Sequence, residues 1–257
     1  MTALRTWFTT VAFWSYLVGT LPLWWLASLP IFAISALTDK RRRLLHWFSC
    51  VWGSHYIWAL PLWSVRWSGR DNIVDGEAYM IVANHQSLGD NLALYGLFKH
   101  FKWVSKSSIF KVPFIGWNMW ANRYVPLVRG DRVSVMHMLE LCRDHLKQGS
   151  SILMFPEGTR STDGRMKAFK LGAFSLAQEQ GVKIVPIVID GTAEALPKSG
   201  IMLRNAWFWP ITAHVLPPVE PTAGKTPTDL MTLVRDQMAT ELARVRDQAV
   251  SEVDSQA

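Results

Sequence analysis

Cysteine is nearly absent from this 257-residue chain: Cys50 and Cys142 are its two thiols, far apart and in no metal-ligand spacing. That argues against a disulfide framework and fits a reducing compartment. Charge is missing from long stretches. Thr6 to Thr38 carries no charged residue, and Leu44 to Val65 has only His46, Cys50, His55 and Tyr56 as titratable side chains. No His-Glu-x-x-His, cysteine cluster or carboxylate array is present, so no metal is expected. A Walker loop and a Gly-x-Ser-x-Gly elbow are missing too, as are internal repeats and low-complexity segments.

Acids are the scarcer charge, with 20 Asp and Glu against 27 Lys and Arg, a net +7. Such a balance suits an anionic membrane surface, acidic small substrates or nucleic acid. Tryptophan separates these. Nine of the 14 Trp residues fall within the first 67 positions, among apolar runs, where an amphipathic ring suits a headgroup boundary. A nucleic-acid surface would interleave them with Lys and Arg, so nucleic acid is not expected as a partner.

The first uncharged run is longer than the roughly 17 to 25 residues one span needs. It also contains Gly19, Pro22 and Pro30, which argue against one straight helix. The stretch is too long and too rich in Trp for a cleavable signal, so it is expected to be retained. Basic residues flank the second run at both ends, Lys40 to Arg43 before it and Arg66 and Arg70 after it. A full crossing would split them across the bilayer. Leu44 to Val65 is therefore expected to enter and leave on one face as a monotopic or re-entrant helix. The competing reading makes both runs buried helices of a soluble protein. The expected location is the inner cell membrane, with the body facing the cytoplasm and anionic lipids as partners.

After Arg70 short apolar runs alternate with helical stretches, the pattern of an α/β layered domain. Strands are expected at Tyr79 to Ala83, Lys102 to Ser105, Tyr124 to Val128, Ser151 to Phe155, Lys183 to Ile189 and Ile211 to Val215. Helices are expected at Ser87 to His100, Phe110 to Asn122, Arg132 to Gln148, Leu171 to Gln180 and Thr228 to Gln248. The last presents Leu230, Leu233, Val234, Met238, Leu242 and Val245 as one core stripe. The domain reading is a membrane-attached segment over 1–66, a body over 67–250 and a polar tail over 251–257.

The run from Tyr79 reads as a buried strand ending at Asn84-His85, followed by a turn through Gly89 into a helix near Asp90. Strand ends of open α/β sheets are where ligands bind. On a regular helix His85 and Asp90 would diverge by about 140°, but a turn at Gly89 can bring the carboxylate back to the ring. The pair can then act as a general base and its orienter. Taken alone, a His-x4-Asp spacing is weak, arising by chance roughly 0.3 times in a chain of this composition. A second strand, Ser151 to Phe155, runs into Pro156-Glu-Gly-Thr-Arg-Ser161, a turn offering N–H groups and a guanidinium to phosphate oxygens.

The segments Asn84-His-Gln-Ser-x-x-Asp90 and Phe155-Pro-Glu-Gly-Thr-Arg-Ser161 resemble the first and third motif blocks of the glycerolipid acyltransferases, specifically the lysophosphatidic acid acyltransferase family. Lys106-x4-Lys111-x-Pro113-x-x-Gly116 resembles the second block, and Val185-Pro-Ile-Val-Ile-x-Gly191 the fourth. These blocks cover about half the chain in the family's order. Asn91 departs from the apolar residue usual after the aspartate.

The resemblance implies an αβ acyltransferase domain preceded by a membrane-associated helical segment. It makes His85 the general base and Asp90 its partner. Glu157, Gly158, Thr159 and Arg160 fall on the acceptor-binding block, with Lys106 and Arg129 as further cationic contacts and Pro186 as structural. The implied reaction moves an acyl group from a CoA or acyl carrier protein thioester to the sn-2 hydroxyl of lysophosphatidic acid. The thioester is a co-substrate, and no bound cofactor is expected. Another lysolipid, glycerol 3-phosphate or an aminolipid remains open as acceptor, and the other class is a lipid-binding protein with an inactive body.

Overall fold

The computed structural model describes residues 3–59, 62–161, 164–198, 200–204 and 209–254. Helix α1 (Ala3–Thr38) is followed by α2 (Arg43–Trp58) and strand β1 (Trp63–Ser68). Then come β2 (Met80–Ala83), α3 (Gly89–Tyr95), β3 (Phe101–Lys106), α4 (Ile115–Ala121), β4 (Val125–Leu127) and α5 (Arg132–Lys147). The chain continues through β5 (Ser151–Met154), α6 (Gly172–Gln180), β6 (Ile184–Asp190), α7 (Thr192–Ala195), β7 (Trp209–Val215) and α8 (Pro227–Asp254).

The seven strands form one sheet in the order β1-β7-β6-β2-β5-β3-β4. Strands β2 to β6 run parallel, and β1 and β7 run against them, since β7 pairs antiparallel with β6 and parallel with β1. Both faces are covered, so the central strands are apolar on both sides. Ile81, Leu153 and Ile187 face a cluster shared with α1, α2 and α3, while Met80, Ile152 and Val188 pack with α5, α6 and α8. The parallel strands put the carboxyl ends of β2, β5, β6, β3 and β4 on one edge.

This architecture matches the expected α/β body, and all six expected strands are present with small shifts at their ends. Several boundaries need correction. Helix α1 is a single α-helix with Pro22 and Pro30 inside it, where an interruption was expected. Its burial is inverted. Small polar Thr9, Thr10, Ser28 and Ser35 are buried, whereas Leu4, Trp7, Phe8, Val18 and Leu37 are exposed. Its hydropathy and its 36 residues, about 54 Å, make it long and apolar enough to cross a bilayer and a candidate for membrane association.

The run Leu44 to Val65 is not one helix. It divides into α2 and the start of β1, with Leu60 and Pro61 outside the described residues. Helix α2 buries His46 and Ser49 and pairs both with the body, Ser49 Oγ donating to Asn118 Oδ1 at 3.3 Å. His46 donates from Nε2 to the Lys99 carbonyl at 3.0 Å, so its Nδ1 accepts from the Tyr124 hydroxyl at 2.7 Å. Because β1 begins at Trp63, the helical segment and the body share an element across position 66.

The helix expected over Phe110 to Asn122 shrinks to α4, because Pro113 lacks an N–H and Phe114 adopts φ 63°. The one expected over Ser87 to His100 ends at Tyr95. Leu233 lies on the solvent edge of the α8 stripe, while Leu230, Val234 and Met238 are fully buried. Helix α8 runs to Asp254 because no breaker follows Ala249, so the expected tail from 251 begins as helix; residues 255–257 lie outside the described residues.

Opposite the carboxyl edge, buried Lys102 donates its Nζ to the carbonyls of Arg41 and Asn122 at 2.6 and 2.7 Å. That ties the α1–α2 turn to the body. Burial, then Lys102 and nearby arginines, push His100 down to about 3; burial and Lys102 push His145 down to about 4. Both folded values lie below the ordinary histidine value of about 6.5, so in that window the unfolded chain binds more protons. Their contribution is intact above about pH 6.5 and lost as the pH falls towards 4. The melting temperature should decline over that window, and less steeply in a His100→Asn, His145→Asn variant; parallel declines would contradict this account.

Candidate active site

Strand β2 ends where Asn84 replaces a ladder pair with its side chain. Its Nδ2 donates to the Ile189 carbonyl and its Oδ1 accepts from the Ile189 N–H, both at 2.8 Å. The chain then turns out of the sheet, and the next residue is His85. The His85 ring meets Asp90 through Nδ1 and Oδ2 at 2.8 Å. The same Oδ2 accepts from the backbone N–H groups of Gln86 at 2.7 Å and Ser87 at 2.9 Å. Asp90 Oδ1 accepts from the Thr192 hydroxyl. The carboxylate is 0% exposed and the imidazole residue 7% exposed.

Acting as donor to Asp90, Nδ1 carries the proton and leaves Nε2 as the basic nitrogen. Among the described residues Nε2 has no hydrogen-bond partner. The ring is stacked on Phe155 with centroids 3.9 Å apart and 9° between planes. Stacking on one side and the carboxylate on the other leave the imidazole little freedom to turn.

Glu157 stands among the acceptor contacts that the resemblance implies, and its side chain also holds backbone. Its Oε1 accepts from the His85 N–H at 2.8 Å and its Oε2 from the Lys167 N–H at 2.9 Å. The carboxylate is committed to the backbone and braces the two turns together. Burial pushes its carboxyl above the ordinary value, partly offset by those N–H groups. Gly158 has φ +70°, a left-handed conformation that favours glycine.

Arg160 is half-buried after that turn, with Thr159 beside it. The Arg160 carbonyl accepts from Lys167 Nζ at 3.0 Å and from Lys198 Nζ at 2.8 Å. Arg129 is also near, since burial and then Arg160 hold its guanidinium below the ordinary range. Lys106 stands exposed at the end of β3, with no hydrogen bond or ion pair among the described residues. The structure thus brings His85, Asp90 and Glu157 into one site with Arg160 and Arg129 at its edge, and does not place Lys106 in it.

A cavity of about 280 Å³ opens between α1, α2, α3 and α4, lined mainly by apolar residues such as Leu17, Trp52, Leu92, Trp103, Ile115 and Met119. Leu88 and Trp103 carry it towards the imidazole, since Trp103 packs on Phe155. Asn91, the residue that departs from the usual apolar pattern, is on its wall. Thr192, Lys167 and Lys198 were not singled out from the sequence, although Thr192 directly follows the Gly191 that closes the fourth block; Phe155 opens the third block but had no role assigned to it.

The family model described as Acyltransferase matches residues 64–190. The chain is 39% identical over 209 residues to a 1-acyl-sn-glycerol-3-phosphate acyltransferase of Chlamydomonas reinhardtii, covering 80% of this chain and 61% of that protein. The chain belongs to the acyltransferase family. A chloroplastic 1-acyl-sn-glycerol-3-phosphate acyltransferase of Arabidopsis thaliana is 41% identical over 64% of this chain and 46% of its own length. The chain therefore spans about half to three fifths of these two curated relatives. The crystal structure of a Thermotoga maritima 1-acyl-sn-glycerophosphate acyltransferase superposes with a TM-score of 0.80 at 24% identity. It covers 96% of this chain and 98% of that one, which establishes that the two share a fold.

Thr192→Val keeps the shape and removes the donor on Asp90 Oδ1. An unsatisfied buried carboxylate oxygen should lower the unfolding free energy by about 1–3 kcal/mol. Chemical denaturation should report that loss, with Thr192→Ser close to the parent; equal stability of the valine variant would show the hydroxyl to be dispensable.

Proposed function

We propose that this chain transfers an acyl group from a thioester carrier to the sn-2 hydroxyl of lysophosphatidic acid, giving phosphatidic acid. The observation that carries it is the 2.8 Å bond between His85 Nδ1 and buried Asp90 beside an apolar cavity. Fixed as the Nδ1–H tautomer, the ring can take the hydroxyl proton on Nε2 as the alkoxide oxygen attacks the thioester carbonyl. The imidazolium is stabilised by Asp90 and returns the proton to the departing thiolate. The acceptor is its own nucleophile, so no acyl-enzyme is required.

In this reading the cavity takes the acyl chain of the donor, because its wall is largely apolar and it reaches the residues beside His85. Arg160 and Arg129 grip the acceptor phosphate, with Gly158 and Thr159 shaping the turn. Lys106 stays available only to a ligand that extends along β3. The donor is an acyl-CoA or acyl carrier protein co-substrate, with no tightly bound cofactor. Exposed apolar residues on α1 and the basic turn Lys40 to Arg43 are read as contacts with an anionic bilayer, at the cytoplasmic face of the inner membrane.

Purified protein, a labelled acyl thioester and a panel of lysolipids should yield labelled phosphatidic acid. His85→Ala should reduce turnover by at least about 10³-fold in a protein that still folds, although its melting temperature falls because buried Asp90 loses a donor. Ordinary turnover by that variant would falsify the base assignment. A bulky residue in the cavity, Met119→Trp, should lower kcat/KM more for long acyl donors than for short ones; an equal loss across chain lengths would remove the cavity from the donor path.

A further inference from the structure

The cationic cluster contains a member that is neither one of the named motif residues nor within the family-matched residues. Lys198 lies between α7 and β7, beyond position 190. Its Nζ and that of Lys167 donate to the same Arg160 carbonyl, at 2.8 and 3.0 Å, so the two ammonium groups are within about 6 Å of each other. Burial, then Lys167, Arg160 and Arg129, lower the Lys198 ammonium below its ordinary value. Like charges crowded on an uncharged carbonyl are poorly compensated. Each ammonium has three donors, so both retain N–H groups for a further acceptor.

The segment carrying Lys198 is tied down at both ends. The Leu196 carbonyl accepts from the Ser87 hydroxyl at 2.6 Å, two residues from His85. On the far side, Trp14 Nε1 donates to the Ile201 carbonyl at 2.8 Å and the Leu203 N–H donates to Thr10 Oγ1 at 3.1 Å. The membrane-candidate helix α1 therefore holds the same stretch that reaches the cation cluster.

We propose that Lys198 is an acceptor-specificity residue, favouring a phosphomonoester headgroup over a phosphodiester, and that Thr10 of α1 positions it. The inference rests on the lysophosphatidic acid reading. A phosphomonoester carries about −1.5 to −2 charge near pH 7 and three terminal oxygens. A phosphodiester headgroup has a single negative charge and two free oxygens. Four clustered cations answer the first, and the fourth adds little to the second.

The test uses the full chain in mixed micelles with one acyl donor and two acceptors, lysophosphatidic acid and lysophosphatidylglycerol of the same acyl chain. The second acceptor is read as a substrate or as a competing inhibitor. Lys198→Met should raise the lysophosphatidic acid KM about 10- to 100-fold, leaving kcat and lysophosphatidylglycerol affinity within about twofold. Lys198→Arg should restore most of the loss. Thr10→Val, which keeps the helix and removes the hydroxyl, should shift the same KM in the same direction by a smaller factor. An equal loss on both acceptors, a fall in kcat alone, or an unchanged KM overturns the proposal. If the unmodified chain acylates lysophosphatidic acid while Lys198→Met keeps its KM, only this inference falls. If the unmodified chain acylates neither lysolipid, the proposed function falls and takes this inference with it.

Discussion

Asp90 is a carboxylate with no access to water, and its two oxygens take up an imidazole, two backbone N–H groups and a threonine hydroxyl. A bare buried carboxylate would cost several kcal/mol, so those donors are a condition for its being there at all. They come from two places in the chain, the turn after β2 and the junction of β6 with α7, and meet the carboxylate at the start of α3. Joining them at one point sets where the imidazole sits. Glu157 repeats the device one strand away, with its oxygens on the N–H groups of His85 and Lys167. Two buried acids thus hold the turns that leave β2 and β5, and the polar apparatus is rigid because the backbone is part of it.

The sheet explains why these turns meet. Adjacent parallel strands β6, β2 and β5 end on the same edge, so segments about seventy and one hundred residues apart in sequence become neighbours. Antiparallel β7 closes the other side and receives β1, the first strand after the helical hairpin. Both ends of the described chain are thereby joined to the layer that carries the site.

Much of this was legible in the sequence. Buried parallel strands read as short continuous apolar runs, and the His-x4-Asp spacing with its glycine turn pointed to the base and its orienter. Strand β1 was hidden because Trp63 to Val65 continues an uncharged run, and hydropathy cannot tell a lipid-facing segment from one that enters a sheet. The backbone partners of Glu157 were hidden for a related reason: a carboxylate in a turn beside an arginine has the same composition whether it faces a ligand or backbone amides. Thr192, Lys167 and Lys198 had no signal because their partners are supplied by the pairing of β6 with β2 and by turns, which no local pattern encodes. The division of Phe110 to Asn122 was, by contrast, written in Pro113.

Helix α1 turns Thr9, Thr10, Ser28 and Ser35 inward and many of its bulky apolar residues outward, while Phe13, Trp14 and Leu17 from its inner side form part of the cavity wall. Under the proposed function, with α1 in a bilayer, a binding space walled by such a helix is reached from the side. Reactants that live in a lipid leaflet then arrive by diffusion in a plane, where the governing quantity is their mole fraction among neighbouring lipids and not their molarity in bulk. Dilution with inert lipid would slow such a catalyst at constant total reactant, and the product would be released into the leaflet from which the acceptor came.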